Sequence, residues 1–177
     1  MPLDHPDRNW TGARRDWLEA DGGTGIPLTQ LHPIPVDAAI EGGRDVTWAA
    51  ERYSEELERV LPRRAGAVAF DVVLLGMGGD GHILSAFPGT PAIAEEHVPA
   101  LAVAAPTLIE PHLPRVTLAP FLLRAAGGIV VMVPGAGKAD TVADCLTSPP
   151  DPGRLPAQLA IRPTAVWLLE PGSATSL

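Results

Sequence analysis

The chain has 177 residues, of which 46% are hydrophobic and 19% charged, enough apolar material for a single packed domain over 1–177. A formal charge of -8, with 13 Lys and Arg against 21 Asp and Glu, argues against a nucleic-acid surface, which gathers cations against phosphates. No apolar run approaches the roughly eighteen residues of a membrane span, and the amino terminus lacks a leader pattern. The single cysteine, Cys145, excludes a disulfide framework or a multi-cysteine metal site and fits a reducing, cytoplasmic setting.

In chain order, Asn9 is the expected cap of a helix over 10–20, stopped by Asp-Gly-Gly at 21–23. "LTQLHPIP" (28–35) reads as an extended segment, because each proline removes a donor and pushes its predecessor toward β or polyproline geometry. Asp45 caps the strongest predicted helix, "VTWAAERYSEELERVL" (46–61), with Trp48, Tyr53, Leu57 and Val60 as its apolar stripe. "VAFDVVLLGMG" (68–78) is almost wholly apolar, as a parallel strand covered on both faces should be. Further strands are predicted in "VPALAVA" (98–104), "RVTLA" (115–119), "GIVVMVPG" (128–135) and "AVWLLE" (165–170), with helical pieces "FLLRAA" (121–126) and "GKADTVADCL" (137–146). This alternation implies an α/β fold, an open and mostly parallel sheet flanked by helices with right-handed crossovers. Ligands bind such sheets at the carboxyl ends of the strands, where a glycine-rich loop follows 68–78.

That loop, "LLGMGGDGHILSAFPG" (74–89), admits three readings. Gly76, Gly78 and Gly81 satisfy G-x-G-x-x-G, with Glu95 and Glu96 near the acidic position of a dinucleotide site. Such a fingerprint opens a full helix, however, and "HILSAF" meets Pro88 and Gly89 within a few residues. The plain reading is a tight turn followed by an ordinary polar histidine. The third is a catalytic loop: consecutive glycines turn N–H groups toward an anion or oxyanion, and Asp80 orients His82.

Two isolated cations bear on the choice. Lys138 follows a Gly-Ala-Gly turn at the start of a predicted helix, and Arg115 carries the planar fork that grips phosphate; the plain alternative makes both solvated surface residues. His5, His32, His97 and His112 read as surface or turn residues without metal-ligand spacing. Trp10, Trp17, Trp48 and Trp167 read as core or interface anchors, and Cys145 as a small buried hydrophobe.

Together, "LLGMGGDGHILSAFPG", "PRVTL", "VPGAGK" and the opening "PLDHPDRN" resemble the 6-phosphogluconolactonase family, within the glucosamine-6-phosphate isomerase/6-phosphogluconolactonase superfamily, in order from Pro2 to the last strand. The resemblance implies hydrolysis of 6-phosphoglucono-δ-lactone to 6-phosphogluconate in the pentose phosphate pathway, on a sugar-phosphate-isomerase/CoA-transferase-like fold, without metal or organic cofactor. It places His82 at the catalytic histidine, a general base beside Asp80. The loop glycines Gly76, Gly78, Gly79 and Gly81 become the oxyanion and substrate cradle, Arg115 and Lys138 phosphate ligands, and Asn9 part of the opening substrate-binding segment. An imidazole suits that role because it titrates near neutral pH.

This chain departs from the family pattern at Arg8, Gly79, Ile83, Ala86 and Glu170, where serine, proline, threonine, leucine and aspartate are usual. The resemblance also starts just after the family's Asp-Glu-Arg motif, so the amino-terminal third, with its first strands and Gly-Gly-Ser/Thr phosphate loop, is expected to be missing. An exposed sheet edge, an uncovered apolar face and self-association through the incomplete sheet follow as expectations. Two alternatives stand beside hydrolysis: a non-catalytic sugar-phosphate-binding or oligomerising remnant, and a glucosamine-6-phosphate deaminase-like enzyme, whose loop reads Asn-Gly-His where this chain has Asp80-Gly81-His82.

Overall fold

A computed structural model describes residues 5–6, 8–107 and 110–177; residues 2–4 and 7 of the opening segment lie outside the described residues. In chain order the main elements are α1 (Asn9–Ala13), α2 (Val36–Glu41), α3 (Val46–Val60), β1 (Arg63–Arg64), β2 (Ala67–Val68), β3 (Val72–Gly76), β4 (Ala100–Val103), β5 (Arg115–Leu118), β6 (Gly128–Val133), α4 (Ala139–Thr147) and β7 (Ala165–Leu169). β3, β6 and β7 form a parallel sheet in the order β3-β6-β7. β4 and β5 pair antiparallel in a sheet of their own, and β1–β2 is a small hairpin. The α/β architecture follows expectation, with the correction that two predicted strands leave the parallel sheet.

The amino-terminal part departs most from the sequence reading. α1 passes into a π-helical turn, Arg14–Leu18, and a 3₁₀ turn, Ala20–Gly22, instead of one continuous helix. Its N-cap is Arg8, with no side-chain capping bond, so Asn9 is the first helical residue. Arg8 is buried and pairs with Asp37 at the start of α2, at 2.5 Å. The segment 28–35 forms a 3₁₀ turn, Leu28–Gln30, and pairs with no strand. Its prolines lack the donors a ladder needs. "FLLRAA" is likewise a 3₁₀ turn, Pro120–Arg124, which ends before the glycines at 127 and 128.

α3 behaves as its sequence demands. Asp45 Oδ1 accepts the Trp48 N–H at 2.9 Å and satisfies one orphan donor of the first turn. The buried stripe is Ala49, Ala50 and Leu57, whereas Trp48, Tyr53 and Val60 are half-buried. Small alanines let the helix approach β4 and β5, and Ser54 both donates to the Ala100 carbonyl and accepts its N–H. Trp167 packs on the main core, but Trp17 is exposed and takes no part in a core.

The main core lies on one face of the parallel sheet. Val73, Leu75, Ile129, Val131 and Val133 point into it, against Val142 and Cys145 of α4 and Leu155, Ala157 and Ala160 around the 3₁₀ turn Pro156–Ala160. Strand residues alternate between faces, and the opposite face is open: Val72 is 56% exposed, Leu74 59%, Met132 41%, Val166 54% and Leu168 53%. The prediction that β3 is covered on both faces is therefore corrected, and among the described residues nothing covers this apolar face or pairs with the outer edge of β3. Among the described residues no helix is long and apolar enough to cross a membrane.

Candidate active site

β3 delivers the chain at Gly76 to the carboxyl end of the sheet, where residues 77–82 fold back on themselves. The Gly78 N–H donates to the His82 carbonyl at 2.9 Å, and the Gly81 N–H to the Gly78 carbonyl at 3.0 Å. Two glycines are obligatory here. A Cβ on Gly78 would overlap Nδ1 and Cε1 of the His82 ring, which lies against that backbone. Gly81 has φ +80°, and a Cβ there would stand 2.9 Å from Leu155 Cδ2. Gly76 and Gly79 meet nothing within 4 Å of an added Cβ, so of the four predicted cradle glycines only Gly78 and Gly81 are required sterically.

The expected Asp80–His82 contact is present. Nδ1 of His82 lies 2.6 Å from Asp80 Oδ1, and the same oxygen accepts the His82 N–H at 3.2 Å. A carboxylate only accepts, so this contact places the ring proton on Nδ1 and leaves Nε2 with its lone pair. Among the described residues no partner takes Nε2, and the side chain is 18% exposed. The imidazole is thus fixed at one nitrogen and available at the other.

After His82 the chain does not enter a helix. Ile83 and Ala86 bridge across a turn whose Leu84 has φ +56°. A dinucleotide site would need a helix N-terminus at this point, so the G-x-G-x-x-G spacing is a turn geometry. The turn is pinned from β5, where Thr117 Oγ1 accepts the buried Ser85 N–H at 3.0 Å.

Phe87 joins two predicted site residues. Its ring lies 4.6 Å from the His82 ring, centroid to centroid, and the Arg115 guanidinium carbon sits 5.3 Å from the same centroid. Imidazole and guanidinium therefore flank one buried aromatic ring. Arg115 Nη2 also donates to the carbonyls of Glu110 and Pro111, at 3.4 and 3.3 Å, and among the described residues no carboxylate neutralises it.

Lys138 lies at the start of α4, the helix whose Thr141 reaches the loop. It ends the 3₁₀ turn Ala136–Lys138 directly before that helix, and among the described residues no acceptor takes its ammonium group. Glu170 shapes the turn by accepting the Gly135 N–H at 2.6 Å. One helical turn beyond Lys138, Thr141 donates its hydroxyl to the Gly79 carbonyl at 2.7 Å. Asn9, by contrast, is exposed on α1 and makes no hydrogen bond to the loop, to Arg115 or to Lys138.

A groove of about 750 Å³ opens beside Asp80 and Phe87, lined also by Thr90, Glu95, Leu101 and Val103 among others. The Glu95 carboxyl on its rim is held below the usual carboxylate range by the N–H groups of Val98, His97 and Glu96 that it accepts. A histidine held at one nitrogen by Asp80, an arginine with no carboxylate partner among the described residues, and a groove that reaches Asp80 and Phe87 fit the hydrolysis of an anionic substrate.

A family model described as glucosamine-6-phosphate isomerases/6-phosphogluconolactonase matches residues 1–169. The chain belongs to this family. It is 34% identical over 183 residues to 6-phosphogluconolactonase of Synechocystis sp. and 35% identical over 178 residues to that of Mycobacterium tuberculosis, in each case covering 100% of this chain and 69% of the relative. The solved 6-phosphogluconolactonases of Trypanosoma brucei and Leishmania guyanensis superpose with TM-scores of 0.83 and 0.81, at 28% and 29% identity. The chain, aligned over its full length, spans 70% and 71% of those structures. The α/β arrangement around the glycine loop is thus the family's own.

Phe87, Thr117, Thr141 and Glu170 complete the geometry and were not assigned site roles from sequence. Phe87 stood inside the quoted loop motif, where its aromatic character was the available signal. Thr141 offered none, because its contact spans 62 residues of chain.

Proposed function

We propose that the chain hydrolyses 6-phosphoglucono-δ-lactone to 6-phosphogluconate, with His82 as the general base. The observation that carries this reading is the half-engaged imidazole, tied at Nδ1 to Asp80 and unpartnered at Nε2. Nε2 takes a proton from water as the water oxygen bonds to the lactone carbonyl carbon. The carbonyl oxygen becomes an oxyanion, for which N–H groups of the loop are the available donors. The tetrahedral adduct then collapses, the ring carbon–oxygen bond breaks, and the departing ring oxygen takes the proton back from Nε2. Asp80 keeps the ring in the productive tautomer and favours the transient imidazolium.

Arg115 and Lys138 supply the charge that a phosphate requires. Neither has an acidic partner among the described residues, so a bound phosphate displaces no ion pair. Because the phosphate is remote from the reacting carbon, its contacts contribute mainly to binding.

The test is lactone hydrolysis by the purified chain, followed as acid release above spontaneous ring opening. The unsubstituted chain is expected to accelerate opening, and His82→Ala to lose roughly 10²- to 10⁴-fold in kcat. Arg115→Ala and Lys138→Ala should act chiefly on KM. A His82→Ala variant as fast as the unsubstituted chain overturns the assignment.

A further inference from the structure

We infer that Thr141 is a positioning residue that aims the oxyanion-binding edge of the glycine loop, an inference that rests on the hydrolytic reading above. Its hydroxyl donates to the Gly79 carbonyl at 2.7 Å. That carbonyl belongs to the same peptide unit as the Asp80 N–H, and this peptide bond is trans. In a planar trans unit C=O and N–H point in opposite directions. Holding the carbonyl toward α4 therefore turns the Asp80 N–H away from the helix, and among the described residues no acceptor takes it.

Among the described residues the Gly79 carbonyl and the Asp80 N–H have no other hydrogen-bond partner. The loop's internal bonds fix Gly78, Gly81 and His82, and the Ala157 N–H holds the Gly81 carbonyl at 2.8 Å. A Cβ on Gly79 would meet nothing within 4 Å, so no neighbour crowds that side of the unit. The Thr141 hydroxyl is what remains, and it sits one helical turn from Lys138. The start of α4 thereby carries both the predicted phosphate cation and the hydroxyl that aims the Asp80 N–H, the donor this inference assigns to the developing negative charge. A donor fixed before reaction needs no reorganisation when charge develops, and one that swings free loses much of its effect.

Thr141→Val keeps the shape and removes the hydroxyl, while Thr141→Ser keeps the hydroxyl and removes a methyl group. Thr141→Val is expected to lower kcat roughly tenfold with KM little changed, because the oxyanion exists only on the way to the transition state. Thr141→Ser should restore kcat to near that of the unsubstituted chain. The orientation of the Asp80 N–H, read by residual dipolar couplings, should change in the valine variant and not in the serine variant. Full kcat in Thr141→Val, or equal losses in both variants, overturns the inference. If the unsubstituted chain hydrolyses no lactone, the functional reading itself fails, and the coupling measurement still decides: an unchanged Asp80 N–H orientation in Thr141→Val means that the hydroxyl does not hold this peptide plane.

Discussion

Leu74 and Leu75 are adjacent, identical and in the same strand, yet one is open to solvent and the other is packed in the main core. The same division runs across the sheet. Val73, Leu75, Ile129, Val131 and Val133 meet α4 and the 3₁₀ turn at 156–160, while Val72, Leu74, Met132, Val166 and Leu168 form an apolar stripe that faces water. Both faces carry the residue types of a buried parallel strand. Composition therefore records the environment such a strand is suited to, and only the covering layer decides which side chains contribute to stability.

The largest effect expected from this contrast is in a pair of alanine substitutions. Leu75→Ala should destabilise the chain by about 2–5 kcal/mol, through lost transfer free energy and the cavity left among Val131, Val142 and their neighbours. Leu74→Ala removes the same atoms from a surface already wet, and should stay within about 0.5 kcal/mol. Chemical denaturation of both variants measures the difference. Equal losses would mean that the outer face is covered in solution.

A second, smaller effect comes from the thiol beneath the inner face. Burial, and then the anionic charge of Asp144, push Cys145 up to about 11. Unfolded, a thiol ionises near about 8.5. The folded value is raised, so stability is complete below the unfolded value and declines as pH climbs toward the folded one. The slope is at most about 1.4 kcal/mol per pH unit. Tyr53, also raised by burial and by Glu56, would add a decline of its own. Comparing urea midpoints of the unsubstituted chain with those of Cys145→Ala between neutral and alkaline pH isolates the cysteine contribution. Parallel curves would remove Cys145 from the sealed core.

What the letters disclosed follows the range of the interactions involved. Asp45 and α3, the strands β3, β6 and β7, and the Asp80–His82 pair were legible because capping, alternation and a two-residue spacing are local. The segment 10–20 misled, since periodicity says nothing of the π-helical and 3₁₀ turns that follow Gly12. The separate β4–β5 pair was hidden for a related reason: a strand's sequence does not name its partner. Phe87 between His82 and Arg115, Thr117 on Ser85 and Thr141 on Gly79 all depend on tertiary approach. Asn9 shows the converse, a motif position whose exposed side chain, on the half-buried helix α1, takes no part in the loop's hydrogen bonds.

Leu74→Lys should have the smallest effect on stability and the clearest effect on association. A lysine at this position leaves its ammonium in water and can lay its stem along the neighbouring apolar stripe, so no unpaired charge is buried. β3 has β6 on one side and an unpaired edge on the other, and a charge on such a strand opposes edge-to-edge pairing as well as face-to-face contact. The variant should therefore unfold at nearly the same denaturant concentration while binding less of an apolar fluorescent dye and scattering less light. A loss of several kcal/mol instead would place Leu74 against packed protein. Unchanged dye binding and scattering would show that the outer stripe, though apolar, is not the surface through which the chain meets other apolar groups.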